Sequence, residues 1–229
     1  AVHSMKDMPT VQPDGLVLDI YLPREDVRDA FVSTGSVSIA GLAKGARVGT
    51  SSLRRRAQLM HVRPDLDIIE FRGNVQTRLK KLADGVASGT FLAMAGLNRL
   101  NMVHVATGAM TPEDMLPAVA QGAIGIERRL DDHSTAMLLE PLHDTKTGQR
   151  IAAERAFLAT LDGSCETPIA ALAVIEDSEL LLRGEVLRPD GSEKLSGQRR
   201  GPIVDGAAMG DDLAKELLSQ AGSEFFSWR

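Results

Sequence analysis

Apolar positions along this chain recur with two different periods, and the changes of period divide it into three stretches. From Ala1 to about Leu22, two strand-like runs, AVHSM and LVLDIYL, are separated by the turn-rich PTVQPDG. From about Asp26 to Leu116, short apolar runs alternate with helical patterns: ARVGT then SSLRRRAQLMHV, LDIIEF then NVQTRLKKLADG, TFLAMAG then LNRLNMV. That alternation is the signature of βαβ units and predicts a parallel sheet with helices on its faces. After LPAVAQGAIGIERRLDD, the run TGQRIAAERAFLATLDG predicts an amphipathic helix with Ile151, Phe157, Leu158 and Leu161 on its apolar side, ended by Gly163. IAALAVI, ELLLRGEVL and EKLSGQRR, joined by EDS and RPDGS, predict an antiparallel meander, and MGDDLAKELLSQAG a capped helix that closes a small α+β unit.

Composition narrows the classes of function. The 229 residues suffice for a real core without a disulfide staple, and the lone Cys165 cannot form an intrachain bridge. Five scattered histidines show no zinc-like spacing, and a reducing, cytoplasmic setting is the expectation. No apolar run is long enough to span a bilayer, so a soluble protein without a membrane partner is expected. A net charge of −5 and an aromatic content of 3% suit nucleic-acid binding poorly, because both counterion release and stacking are weak. Basic clusters in such a chain point instead to a small anionic ligand. The opening AVHSMKD has no initiator Met and already reads as the end of a strand, so further residues are expected upstream.

Three strand-to-helix junctions carry arginine. In GTSSLRRRAQL, Arg54, Arg55 and Arg56 crowd the first turn of a helix, where unpaired N–H groups and the macrodipole already make the end positive. The arrangement makes sense if Thr50, Ser51, Ser52 and guanidinium forks converge on a carboxylate or phosphate; otherwise the arginines simply fan into water. FRGNVQTRLKKL places Arg72 at a strand end, Asn74 as N-cap and Arg78 one turn on, with Lys80 and Lys81 on the solvated face. AMAGLNRL puts Arg99 just after another strand. Ligands of α/β sheets collect at the carboxyl ends of strands, so these junctions predict a site for a ligand with several carboxylates. In HSMKDMP, Asp7 is either a surface partner of Lys6 or a carboxylate that stabilises a developing cation, with His3 a weaker candidate. Cys165, in LDGSCETP, is either a small buried hydrophobe or a thiol held out on a loop as nucleophile or attachment point.

Taken in order, AVHSMKDMP, GTSSLRRRAQL, RGNVQTRLKKL, MAGLNRL, LPAVAQGAIGIE and ERAFLATLDGSCETPI resemble the porphobilinogen deaminases, also called hydroxymethylbilane synthases, over nearly the whole chain. The resemblance implies a transferase of tetrapyrrole (haem) biosynthesis. It would join four porphobilinogen molecules head to tail, release ammonia at each step and give hydroxymethylbilane. It also implies a dipyrromethane cofactor tied by a thioether to Cys165, and Asp7 as the catalytic aspartate. Ser4, Lys6, Thr50, Ser51, Ser52, Arg54 and Arg55 match positions that hold the cofactor's carboxylates; Arg72, Arg78, Arg99 and Gln121 match positions that receive substrate or the growing chain. Arg56 matches none and is expected in solvent. Partners would be porphobilinogen and its oligopyrrole intermediates, and the chain a monomer.

The implied fold is α/β in three domains: two lobes like those of periplasmic binding proteins and a small α+β C-terminal domain with the cysteine loop. Domain one would be 1–22 with 123–142, incomplete at its N-terminus, and a chain truly starting at Ala1 should be inactive. Domain two would be 28–116 and domain three 145–229, with hinges near 23–27 and 117–122. Ala120 stands where the family usually has glycine, which could stiffen a hinge, and Ser88 with Gly89 replace the usual acidic residue and alanine. A rival reading of the α/β pattern and the arginines is a non-catalytic, two-lobed binding protein for a small polycarboxylate anion.

Overall fold

The first two apolar runs form β1 (Val2–Ser4), continued by a 3-10 turn over Met5–Asp7, and β2 (Leu16–Tyr21). They belong to a computed structural model that describes residues 1–163, 167–222 and 224–227. The two strands do not pair with each other. Between them, antiparallel to both, lies β8 (Ile124–Arg129), from far along the chain.

The second stretch supplies β3 (Asp29–Ser33), β4 (Arg47–Gly49), β5 (Asp67–Ile69), β6 (Gly89–Ala93) and the short β7 (Gly108–Ala109), in the order β5-β4-β6-β3-β7. Helices α1 (Leu53–Val62), α2 (Val75–Ala83) and α3 (Met94–Arg99) follow β4, β5 and β6. The sheet is mixed rather than parallel. β4 runs parallel to β5 and β6, whereas β3 is antiparallel to β6 and β7. The physical reason is the connection: β4, β5 and β6 are joined through helices that carry the chain back, but only a loop joins β3 to β4, so the chain reverses direction. α3 also starts earlier than its sequence pattern suggested, taking in Met94, Ala95 and Gly96.

Side-chain alternation along this sheet separates two cores. Ala30, Val32 and Leu92 pack with Phe71, Leu82 and Leu97, while Phe31 and Phe91 pack with Val48, Leu59 and Leu66 on the opposite face. The Phe31 and Phe91 rings lie 5.6 Å apart. Burial of each such ring is worth about 1.5–3 kcal/mol. Two glycines make room for rings: a Cβ at Gly49 would lie 2.4 Å from Phe71 Cγ, and one at Gly89 2.8 Å from Phe31 Cε2. The second contact gives Gly89 a physical reason, since any side chain there would displace Phe31.

The third stretch opens with the short α4 (His133–Leu139) and the long α5 (Thr145–Thr160). The meander β9 (Ile169–Glu176), β10 (Glu179–Leu187) and β11 (Lys194–Pro202) is antiparallel throughout, and α6 (Gly206–Gln220) closes the unit. Ile151, Phe157, Leu158 and Leu161 are all buried, in one cluster with Leu180, Leu182, Leu213 and Leu217. Met5 and Leu18 belong to the same cluster, so the first sheet and the third unit share a core. Two local expectations are corrected. The left-handed residue after α5 is Asp162, φ +51, while Gly163 is needed for close packing, its Cβ position lying 2.5 Å from Leu158 Cδ1 and Ile169 Cδ1. α6 starts without a side-chain cap, since Asp205 at the N-cap makes no such bond.

The β10–β11 connection seats α1. Gly191, at φ +72, comes so close that a Cβ would lie 2.5 Å from the His61 backbone nitrogen, and His61 Nδ1 lies 2.9 Å from the Gly191 carbonyl oxygen. The far half of the arginine helix therefore rests on the third unit. Among the described residues, no helix is long and apolar enough to cross a membrane.

Candidate active site

The arginine-rich start of α1 is stable because its charges are answered locally. Ser52 is the N-cap, its hydroxyl accepting from the Arg55 backbone N–H. Thr50 Oγ1 accepts from Ser52 N at 3.2 Å and Ser51 Oγ from Phe71 N at 3.1 Å, so each hydroxyl of the run shapes the turn. Arg54 and Arg55 are 3% and 5% exposed, whereas Arg56 is exposed as expected.

The partner of both buried arginines is Asp29, the first residue of β3, which has no solvent exposure. Arg54 Nη1 donates to Asp29 Oδ2 at 2.8 Å, and Arg55 donates through Nε at 3.0 Å and Nη2 at 2.6 Å to Oδ1. Burial alone would raise the Asp29 carboxyl, but the two guanidinium groups outweigh it and hold the group well below the usual carboxylate range. Arg54 Nη1 also reaches Gln58 Oε1 and the Leu116 carbonyl, and Arg55 Nη1 donates to the Phe91 carbonyl. Arg54 Nε, by contrast, is buried and has no hydrogen-bond partner among the described residues.

Arg54 is one of the residues that line a cavity of about 250 Å³. Lys6, Asp7, Ser51, Ser52, Arg54, Arg55, Arg78 and Gln121 all line it, with Val119, Leu158, Thr167 and Ile169. Three strand-end segments, the 3-10 turn after β1 and the starts of α1 and α2, thus contribute to one place. Four of the lining side chains are cationic types and Asp7 is the acidic one. Burial, reinforced by repulsion from Arg55, brings the Lys6 ammonium from 10.5 down to about 8, against the pull of Asp7 and Asp29.

Other predicted residues lie elsewhere. Ser4 occupies the N-cap of the 3-10 turn without a side-chain cap bond, and Thr50 is buried behind the turn. Neither lines the cavity, nor do Arg72 and Arg99. Arg72 is paired with Glu70 at 2.6 Å on the surface, and Arg99 Nη2 donates to the Gly122 carbonyl at 3.2 Å. Lys80 is solvated and paired with Asp84, but Lys81 turns back, donating to the Arg72 carbonyl with its Nζ 5.4 Å from the Phe71 ring centre. Cys165 lies outside the described residues; Thr167, two positions on, lines the cavity.

Sequence reasoning missed a second buried pair. Arg24 Nη1 and Nη2 grip Glu154 Oε1 and Oε2 at 2.6 and 3.0 Å, with both side chains at most 1% exposed. Glu154 also accepts from the backbone N–H groups of Ala120 at 2.7 Å and Ala173 at 2.8 Å. Arg24 Nε donates to the Gln121 carbonyl, and Gln121 Nε2 donates to the Val27 carbonyl and to Asp29 Oδ1. Segments 23–27 and 117–122 are thereby tied together beside the cavity. The signal for Glu154 was present in the sequence, since it follows Ile151 by three and precedes Phe157 and Leu158 by three and four, on the apolar face of α5. Asp29 similarly begins the apolar strand DAFVS.

A group bearing several carboxylates fits this wall. Three arginines, a lysine and serine hydroxyls are the donor set that carboxylates require. The comparisons with known proteins agree. The family description "Porphobilinogen deaminase, dipyromethane cofactor binding domain" matches residues 1–137, and "Porphobilinogen deaminase, C-terminal domain" matches residues 149–219. The chain is 66% identical to porphobilinogen deaminase of Paracoccus denitrificans (strain Pd 1222), over 100% of this chain and 73% of that one. It is 51% identical to the chloroplastic enzyme of Pisum sativum, over 99% of this chain and 63% of that one. Solved structures with some likeness include a putative methionine-binding lipoprotein from Bacillus subtilis, at 15% identity and TM-score 0.38, covering 58% of this chain and 63% of that one. A Salmonella typhimurium periplasmic binding protein with high arginine specificity has 14% identity and TM-score 0.36, covering 56% and 58%. These two likenesses are too slight to carry any argument. By the matched domains and the curated relatives, the chain belongs to the porphobilinogen deaminase family, transferases also called hydroxymethylbilane synthases that work with a dipyrromethane cofactor.

Proposed function

We propose that the cavity between the 3-10 turn, α1 and α2 is where this chain condenses porphobilinogen, with Asp7 as the catalytic carboxylate. The observation that carries the reading is the convergence of one exposed aspartate with Lys6, Arg54, Arg55 and Arg78 on one cavity. Each porphobilinogen carries an acetate and a propionate, so the basic wall binds the side chains while Asp7 faces the ring. When the C–N bond of the protonated aminomethyl group breaks, its electron pair leaves with nitrogen as ammonia and the remaining methylene carbon becomes cationic. A carboxylate beside the ring stabilises that charge as it develops, and does so more strongly in a cavity than in water.

The dipyrromethane, when bound, supplies the pyrrole carbon on which the chain of four rings is built. Cys165 is its attachment point in this reading, supported by the position of Thr167 in the cavity wall. Lys6, Ser51, Ser52, Arg54 and Arg55 hold its carboxylates, with Ser4 and Thr50 shaping the turns that present them. Arg78 and Gln121 meet the incoming substrate, and Arg72 and Arg99 lie beyond the cavity, where a lengthening polyanion needs further cations. Three domains are proposed, 1–22 with 123–142, 28–116 and 145–229, acting as a cytoplasmic monomer with no nucleic-acid or membrane partner. The family assignment favours this enzyme over a non-catalytic anion-binding protein.

The test is ammonia release from porphobilinogen by the Asp7→Ala variant of the holoenzyme. Release falls by a factor of about 10² or more while thermal unfolding is unchanged. Full activity in a folded Asp7→Ala protein would remove Asp7 from its assigned role.

A further inference from the structure

We propose that Asp29 is a positioning residue for anion binding, acting through Arg54 and Arg55; the inference rests on the cavity being the deaminase active site. Asp29 does not line the cavity. It lies behind the arginines, with no solvent exposure, and its carboxylate holds both of them.

The geometry is asymmetric. Asp29 Oδ2 engages Arg54 only at Nη1, which also meets Gln58 Oε1 and the Leu116 carbonyl. Asp29, Gln58 and the Leu116 carbonyl thus fix one terminal nitrogen of a guanidinium whose residue lines the cavity. Arg55 is held oppositely, through Nε and Nη2 on Asp29 Oδ1 and through Nη1 on the Phe91 carbonyl, which fixes the plane of its guanidinium.

Both guanidinium groups that Asp29 holds belong to residues lining the cavity, so loss of this one carboxylate releases two of its cationic walls together. Gln121 Nε2, 3.1 Å from Asp29 Oδ1, extends the same carboxylate to the 117–122 segment.

Asp29→Asn keeps the shape and removes the charge. In the purified protein the share of chains carrying the dipyrromethane adduct, read by intact mass, falls by about fivefold or more, and reconstitution becomes more dependent on KCl concentration, since the arginine pair now carries both charges. A smaller loss in a folded variant, even one with a lowered melting temperature, overturns the proposal and leaves a structural ion pair. If Asp29→Asn alone does not fold, Asp29→Glu, which keeps the charge but moves it by one methylene, is measured instead. A loading loss of about fivefold in folded Asp29→Glu supports positioning, and unchanged loading overturns it. The unaltered holoenzyme is assayed alongside: absence of turnover there would refute the active-site assignment, whereas turnover with an unaffected Asp29→Asn refutes only the role of Asp29.

Discussion

Removing the Glu154 carboxylate is the sharpest available test of how the chain is held together. Glu154 meets four donors at once: two nitrogens of Arg24 and the backbone N–H groups of Ala120 and Ala173. Glu154→Ala leaves a guanidinium that is 1% exposed without its counter-charge, which costs about 3–5 kcal/mol. Each orphaned N–H adds about 1–3 kcal/mol taken alone, but relaxation and water entry make the contributions less than additive, so about 4–6 kcal/mol is expected overall. For a chain of this size each kcal/mol shifts Tm by about 2–4 °C, so the midpoint falls by roughly 10–20 °C. Glu154→Gln retains one acceptor oxygen and the shape, and loses about half as much. The assay is thermal unfolding followed by circular dichroism at low and high salt. Because the pair is buried, the difference between variants is nearly independent of salt. A Tm for Glu154→Ala within about 3 °C of the unaltered protein would refute the reasoning, since it would mean that water or a new partner satisfies all four donors.

Two further outcomes follow from single residues. Lys6, whose ammonium titrates near 8 in the folded protein and at 10.5 as a free group, loses its charge in the native state first. The folded state then binds fewer protons than the unfolded one between those values, so stability rises with pH across that window while anion binding weakens. Cofactor reconstitution of the apo protein, followed by intact mass between about pH 7 and 10, shows the loss, and Lys6→Arg moves it to higher pH; an identical profile for the two would remove Lys6 from anion binding. Ala120 sits at φ +60 and is fully buried, a conformation that costs a non-glycine residue about 1–2 kcal/mol. Ala120→Gly relieves that strain but loosens the unfolded chain, leaving a net gain of up to about 1 kcal/mol, visible as a Tm raised by a few degrees. A lowered Tm would show that the Ala120 methyl group contributes more by packing than its backbone costs.

The arginine puzzle shows why part of the site was legible in sequence and part was not. Basic residues at three strand-to-helix junctions are a one-dimensional signal, because the carboxyl ends of neighbouring strands in an α/β sheet must lie together. Lys6, Asp7, Arg54, Arg55 and Arg78 could be read from that rule and from the resemblance, and the structure brings all five to one cavity. The rule did not extend to Arg99, whose position is set by the turn of α3 toward Gly122. Nor did it reveal Asp29 or Glu154. A single charged residue in an apolar run is ambiguous until its partner is known, and their partners lie 25 and 26 positions away for Asp29 and 130 for Glu154.

The sequence by itself determined most of the elements, the three stretches and the family, though not β3, β7 or α4. Period, turn residues and the order of motifs are local properties that survive without coordinates. Only the structure showed that DAFVS and GTFLA send alternate side chains into two separate cores. Only the tertiary structure decided that β3 runs against its neighbour and that β8 inserts between β1 and β2. It alone showed that Gly89 makes room for Phe31 and that Ala120 holds a left-handed backbone. It also decided which arginines line the cavity. Strand direction, close approach and the pairing of buried charges depend on residues distant in the chain, and their energies exist only once folding has brought those residues into contact and taken them out of water.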